Sequence, residues 1–293
     1  MTMRITPLTD PNRGASSYRL AWLAAGADGR PLGTAFLRVP AVGDSGEVEL
    51  HVHPAERRAG VGTRLLETVT GAAGELGLRG VLTDAVAEDS AGDRFCAARG
   101  LRRVLALTYT RLELAGAEPA ADPVPGYRLV QWEGTVPDEL AETFARSRRA
   151  MDDMPMDDAG YAPQPWNVER LHAIADAVAK RGETLFTVAA VAADGEIVGF
   201  TELVVPGDGT GDGQHYGTGV LPEHRGHGLA RWMKADTISR ARARFPRLSG
   251  LLADTADSNA AMRRTNESLG YRPTHRSVLY RLDLPTLGAA QVE

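Results

Sequence analysis

The sequence predicts an α/β protein built from two tandem copies of one unit, each a mixed β-sheet flanked by helices. Three observations predict it. A strand-to-helix motif occurs twice, the spacing downstream of the two copies nearly matches, and a stretch rich in Pro, Gly and Ala separates them. Internal repeats are sought first because a missed repeat misassigns the whole fold.

The first copy of the motif is Val52-His-Pro54-Ala-Glu-Arg57-Arg58-Ala59-Gly60-Val61-Gly62. The second is Val220-Leu-Pro222-Glu-His-Arg225-Gly226-His227-Gly228-Leu229-Ala230. They align without gaps on V-x-P-x-x-R-x-x-G-x-(G/A). Each is followed by a helical segment, an apolar run and a short helix ending in glycine, Gly100 or Gly270. That distance is 43 residues from Arg57 and 45 from Arg225, which favours duplication over coincidence. Ala115–Gly126 has no periodicity and reads as a linker. The expected domains are therefore 1–119 and 120–293.

Within the first half, Tyr18–Ala24, Leu32–Val39 and Glu47–His53 read as strands, the first two separated by Ala-Asp-Gly. Val61, Leu65, Leu66, Val69, Ala73 and Leu76 recur at helical spacing. Val81–Val86 and Val104–Leu114 read as further strands. The second half repeats the order with strands Leu185–Ala192, Ile197–Val205 and Tyr216–Leu221, a helix over Gly228–Arg244, and strands Leu248–Asp254 and Ser277–Leu284. It also has two amphipathic helices, Pro137–Met151 and Trp166–Lys180, where the first half has only Pro11–Ser17. Accordingly 56 residues precede Arg57, whereas Arg225 lies 98 residues beyond Tyr127, where the second half begins.

Composition excludes several classes. With 293 residues, 43% hydrophobic and 24% charged, the chain has enough apolar residues for a core in each half. A net charge of −5 gives no electrostatic case for nucleic acid or an anionic membrane. Cys96 alone cannot form an intramolecular disulfide and fits a reducing compartment. The sequence begins without the apolar core of a signal peptide, and no run approaches membrane-spanning length. A cytoplasmic protein is the expectation; oligomeric state is not legible. The seven histidines are scattered, without metal-ligand spacing.

A strand running into Arg-x-x-Gly-x-Gly/Ala and then a helix binds an anion. The first helical turn offers unpaired N–H groups and the positive end of the dipole. Glycine lets phosphate oxygens approach the backbone, and arginine adds a charge-assisted contact. Neither copy has the Gly-Lys-Ser/Thr of a Walker loop or the G-x-G-x-x-G of a dinucleotide fold.

With these motifs the chain resembles the GNAT acyltransferases over most of both halves. The later stretch Asn259-Ala-Ala-Met262-Arg-Arg-Thr-Asn266-Glu-Ser-Leu-Gly270-Tyr271 resembles the family's helix after the fifth strand. The resemblance implies a splayed sheet in each half and acetyl-CoA as cofactor. It implies that the loops Val52 with Arg57–Gly62, and Val220 with Arg225–Ala230, hold the pyrophosphate, that the pantetheine enters the gap beside the preceding strand, and that Asn259 contacts the cofactor arm. It also implies that the helix pair between the first two strands forms the acceptor side. Only the second half has that pair, so catalysis is expected there, as in tandem members of the family, with a supporting or vestigial first half.

The joint between those helices, Met151-Asp152-Asp153-Met-Pro-Met-Asp157-Asp158, has four carboxylates that would attract a cationic amine; a solvated acidic loop fits the same residues. An amine of lysine-like pKa, about 10.4, is almost wholly protonated at pH 7, so a general base is valuable. Glu202 leads, because a carboxylate inside an apolar strand demands a reason; an outward-facing strand residue is the alternative. His215 and Tyr216 come next, then Asp254. The family's proton-donating tyrosine, four residues before the helix-ending glycine, is replaced by Cys96 and Asn266. Asn266 can orient the sulfur or a water but is a poor acid, so Tyr216 or water protonates the leaving thiolate, or no acid is needed; a lone helical Cys96 reads as packing. The leading expectation is acetyl transfer to a primary amine of a small, cationic acceptor. A protein amine, or a non-catalytic acyl-CoA-binding sensor or scaffold, are the alternatives.

Overall fold

The computed structural model describes residues 3–9, 17–160 and 165–285. Most of the Pro11–Ser17 segment lies outside them. Strands β1 (Met3–Leu8), β2 (Ser17–Gly26), β3 (Pro31–Pro40) and β4 (Ser45–Val52) form an antiparallel meander. In β3 the residues Ala35, Leu37 and Val39 alternate inward at the strand period of two. Helix α1 (Val61–Glu75) covers them with Val61, Leu65, Leu66, Val69 and Ala73, the stripe its periodicity predicts. Then come β5 (Gly80–Thr83), parallel to β4, the short β6 (Val86–Ala87), α2 (Ala91–Ala98) and β7 (Arg102–Glu113).

The second series is β8 (Tyr127–Glu133), α3 (Asp138–Ser147), a 3₁₀ turn at Arg148–Met151, α4 (Val168–Lys180), β9 (Thr184–Ala192), β10 (Ile197–Val205), β11 (Gly211–Val220), α5 (Leu229–Arg244), β12 (Leu248–Ala256), α6 (Ala260–Ser268) and β13 (Arg272–Asp283). All nine residues of β10 are buried, because helices cover both faces. Phe144 of α3 meets Phe200 edge-on at 5.6 Å, while Met233 of α5 lies against Gly199 on the other face.

The chain divides into two compact units, and the division passes through strands. Unit 1 comprises residues 1–106, 157–162 and 277–293; unit 2 comprises 107–156 and 163–276. The linker Ala115–Gly126 thus belongs to unit 2, and the seam crosses β7 and β13. In unit 1 the strand order is β1-β2-β3-β4-β5-β13, the last pairing through Arg281, Leu282 and Asp283. In unit 2 it is β8-β9-β10-β11-β12-β7, the last pairing from Leu107 to Glu113. The same order occurs twice, and each sheet takes its sixth strand from the opposite half of the sequence.

In both units the fourth and fifth strands are parallel and part early. β11 pairs with β12 only from Gly211 to Gln214, although β11 continues to Val220 and β12 to Ala256. β4 pairs with β5 only from Ser45 to Val48 and runs on to Val52. These are splayed sheets. The units differ between their first two strands. Only residues 9–16 lie between β1 and β2, whereas α3, the 3₁₀ turn and α4 lie between β8 and β9.

Candidate active site

In unit 2 the end of β11 leads through a 3₁₀ turn at Pro222–His224 into Arg225 and α5. Gly226 and Gly228 have φ of 83° and 86°, a region that costs a residue with a Cβ about 1–2 kcal/mol. Nothing stands within 4 Å of where a Cβ would project from either glycine. Gly228 is the N-cap of α5, and no side chain caps it. The helix therefore begins with open backbone donors on an unobstructed glycine surface, which fits a pyrophosphate. Arg225 is fixed by Nε donating to the Val220 carbonyl at 2.8 Å and by a fork to Asp153 at 2.6 and 2.7 Å. That guanidinium holds the Asp153 carboxyl below its usual range. His227 and Gly228 are exposed, Ala230 is partly so, and Leu229 anchors the loop in the core.

Unit 1 repeats the device. Gly60, with φ of 84°, is the uncapped N-cap of α1, and Arg57 Nε donates to the Val52 carbonyl at 3.4 Å. One position departs: Arg58 has φ of 66° where Gly226 stands in unit 2. Ala59 and Gly60 are exposed, Val61 is buried, and Gly62 lies close to Phe95.

The expected bases have different fates. Glu202 is buried, and Arg148 binds both its carboxylate oxygens, one through Nη1 at 2.9 Å and the other through Nη2. The guanidinium sits over the rings of Phe144, Trp166 and Phe200 at 4.3–4.7 Å. Glu202 is thus paired as an internal counter-ion to Arg148. Tyr216 is the extra residue of a β-bulge, since Glu202 pairs with Gly217 and Leu203 with His215. The bulge turns its ring outward, where the hydroxyl accepts from Arg181 at 2.6 Å. His215 stays inside: Nε2 and the Tyr271 hydroxyl share a hydrogen bond of 2.7 Å, and Nδ1 is buried without a partner. Burial, then the nearby Lys234 charge, hold His215 well below its ordinary value. Asp254 receives a 3.3 Å hydrogen bond from Gln214, and burial raises its carboxyl.

Lys234 escaped the sequence reading. It is 1% exposed, and its amine lies 5.0 Å from the centre of the Tyr271 ring. Burial lowers it to about 7 against the opposing pull of Asp254. A helical signal existed: Lys234 lies four residues before Ile238 and seven before Ala241 on the stripe that α5 buries. Arg148 was missed because nothing local links it to Glu202, 54 residues away.

The remaining candidates are dispersed. Asn259 caps α6, accepting from Met262 N–H at 3.1 Å. Asn266 is buried and donates to Thr255 Oγ1 at 3.2 Å, while its Oδ1 has no partner. It lines a cavity of about 560 Å³ with Asp257, Arg263, His275 and Arg276. The acidic stretch does not act as one group. Asp152 ends the 3₁₀ turn and Asp153 serves Arg225 in unit 2, whereas Asp157 and Asp158 belong to unit 1, where Asp158 pairs with Arg102 at 3.1 Å. Cys96 packs with Leu66, Leu101, Val278 and Tyr280, and burial pushes its thiol up to about 11, the condition of an inert core cysteine.

Open amides at the start of a helix fit phosphates, and a parted neighbour strand leaves room for an extended acyl arm. Fold and site together are those of a coenzyme A-dependent acyltransferase. The family model "Acetyltransferase (GNAT) family" matches residues 6–101 and again 149–271. The mycothiol acetyltransferase of Thermobispora bispora is 30% identical over 240 residues, 80% of this chain and 75% of that one. The mycothiol acetyltransferase of Thermobifida fusca is 30% identical over 294 residues, 92% and 84% of the two chains. Among solved structures, a tandem GNAT protein from the clavulanic acid biosynthesis pathway superposes with a TM-score of 0.75 at 24% identity, over 92% of this chain and 84% of that one. The chain belongs to the acetyltransferase (GNAT) family and is a tandem N-acetyltransferase that uses acetyl-CoA. No helix among the described residues is long and apolar enough to cross a membrane.

Proposed function

We propose that unit 2 transfers the acetyl group of acetyl-CoA to the primary amine of a small-molecule acceptor, and that unit 1 supports it without catalysing. The observation that carries this assignment is the insertion of α3, the 3₁₀ turn and α4 between β8 and β9, against residues 9–16 alone between β1 and β2. In the family that helix pair forms the acceptor side of the cleft. Val220 and the loop Arg225–Ala230 hold the pyrophosphate, and the gap between β11 and β12 takes the pantetheine arm. The bound thioester supplies the electrophilic carbonyl, and the protein's own contribution is to orient it, exclude water and manage protons.

One observation favours a small acceptor over a protein amine: relatives 30% identical over most of their length are named for mycothiol. A cationic acceptor draws less support, because Asp153 and Asp158 already neutralise arginines.

A calorimetric titration with acetyl-CoA tests the assignment through stoichiometry. One site per chain, lost in Gly228→Asp, is the expected result, since the new carboxylate would face the pyrophosphate. Two sites would mean that the Arg57–Gly62 loop also binds. Unchanged affinity in Gly228→Asp would remove the site from α5.

A further inference from the structure

Burying a lysine is costly, and α5 avoids the cost elsewhere: Arg231, Arg240, Arg242 and Arg244 are all exposed. Lys234 is the exception, and its surroundings are polar and specific. Tyr271, which follows α6, places its ring 5.0 Å from the amine, and its hydroxyl is bound to His215 Nε2 at 2.7 Å. His215 comes directly after Gln214, the last β11 residue paired with β12, and Asp254 lies two residues past Leu252, the last of β12 so paired. Lys234 interacts electrostatically with both. Its amine thus lies over the ring whose hydroxyl is bound to His215, the first β11 residue beyond the stretch paired with β12. The other strands packed on α5 bring no competing charge: β9 has no titratable side chain, and the one carboxylate of β10, Glu202, is held by Arg148.

The position also meets a chemical need. Breaking a thioester leaves an electron pair on sulfur, and the residue at the family's usual proton-donor position is Asn266, which has no acidic proton to give.

We propose that Lys234 is the proton donor to the sulfur that leaves the acetyl group, with Tyr271 and His215 positioning its amine; this rests on unit 2 holding acetyl-CoA in the strand gap. As the acceptor nitrogen bonds to the acetyl carbon and the carbon–sulfur bond breaks, Lys234 passes one Nζ proton to sulfur and becomes neutral. The proton shed by the acylated nitrogen then returns to Lys234, so the cycle closes without net uptake. Before transfer, the ammonium favours negative charge on that sulfur.

The test compares wild type with Lys234→Met, which keeps an unbranched side chain one atom shorter and removes its charge, and Lys234→Arg, which keeps the charge and gives up no proton. Free coenzyme A is titrated on each protein, and ionisation of the bound thiol is followed by thiolate ultraviolet absorbance. The thiol is expected to ionise about one pH unit lower on Lys234→Arg, whose charge persists across the titration, than on Lys234→Met. Turnover is expected to fall about 100-fold or more in both variants. Equal thiol ionisation on Lys234→Arg and Lys234→Met, with binding retained, would overturn the inference while leaving the cofactor site intact. Wild-type turnover in Lys234→Arg would overturn proton donation. Failure of wild type to bind coenzyme A would remove the site and the inference together.

Discussion

Arg148 and Glu202 form a forked ion pair inside unit 2, with side chains 5% and 6% exposed. A buried pair recovers its desolvation cost only when both partners are present, so removing one leaves a charge stranded among aromatic rings. Glu202→Gln and Arg148→Met are each expected to destabilise unit 2 by about 3–5 kcal/mol. The double variant Arg148→Met/Glu202→Leu should recover most of that loss in urea denaturation. Full loss in the double variant would mean that the pair contributes packing that the apolar residues do not replace.

Lys234 gives the opposite sign. Its amine is lowered to about 7 in the folded protein, against an ordinary value of 10.5. Between these values the unfolded chain binds more protons, so stability rises with pH across that window. Lys234→Met is expected to stabilise the protein by a few kcal/mol at pH 7, on the order of 3. The gain should shrink as pH approaches 10. Urea midpoints at pH 7 and pH 9.5 measure both parts, and a gain independent of pH would mean the amine is not desolvated.

His215 adds to acid sensitivity. Its folded value lies well below 6.5, so the unfolded state takes up the proton first. The stability conferred by its neutral form is complete above the unfolded value and is lost as pH falls below it. Replacing His215 by Gln, which cannot titrate in this range, should flatten the stability–pH curve below pH 6.5. An unchanged slope would assign the acid loss to carboxylates such as Asp153, whose lowered value makes them stabilising above the unfolded carboxyl range and lost below it.

Asp153 neutralises Arg225 of the loop proposed to hold the cofactor. Asp153→Asn removes one negative charge beside an anion site, and the affinity for coenzyme A is expected to rise about threefold to tenfold at low salt. The gain should diminish at high salt. Weaker binding would identify Asp153 as the group that orients Arg225.

Arg58 occupies the left-handed region that Gly226 occupies in the other loop. Arg58→Gly removes a strain of about 1–2 kcal/mol but frees the unfolded chain. A net stabilisation of up to about 1 kcal/mol in unit 1 is expected in thermal unfolding, and a loss would show that Arg58 makes contacts worth more than its strain.

Local pattern made much of the fold legible. The helix stripe from Val61 to Ala73 and the strand pairs separated by Asp-Gly lie where periodicity puts them. β1 and β8 were not read, the first because Pro7 interrupts it and the second because it follows directly on the linker. β13 begins at Arg272 rather than Ser277, since its first five residues are exposed and lack an apolar alternation. The glycines of both loops were readable because positive φ selects them. What pairs with Glu202, and which strand completes each sheet, depends on residues far away in sequence, and no local signal encodes it. Lys234 was readable only in retrospect, from its place on the buried stripe of α5.

The exchanged sixth strands bear on how such a duplication persists. A sheet whose outer strand is missing presents a row of unpaired N–H and C=O groups, the template for aggregation. Severing the gene in the linker between 115 and 126 would take β7 from the sheet of unit 2 and β13 from the sheet of unit 1. Neither half could be inherited, expressed or discarded alone without exposing β12 or β5. Even if the first copy has no chemistry of its own, as proposed, it remains indispensable, because the strand that leaves it closes the sheet of its sister.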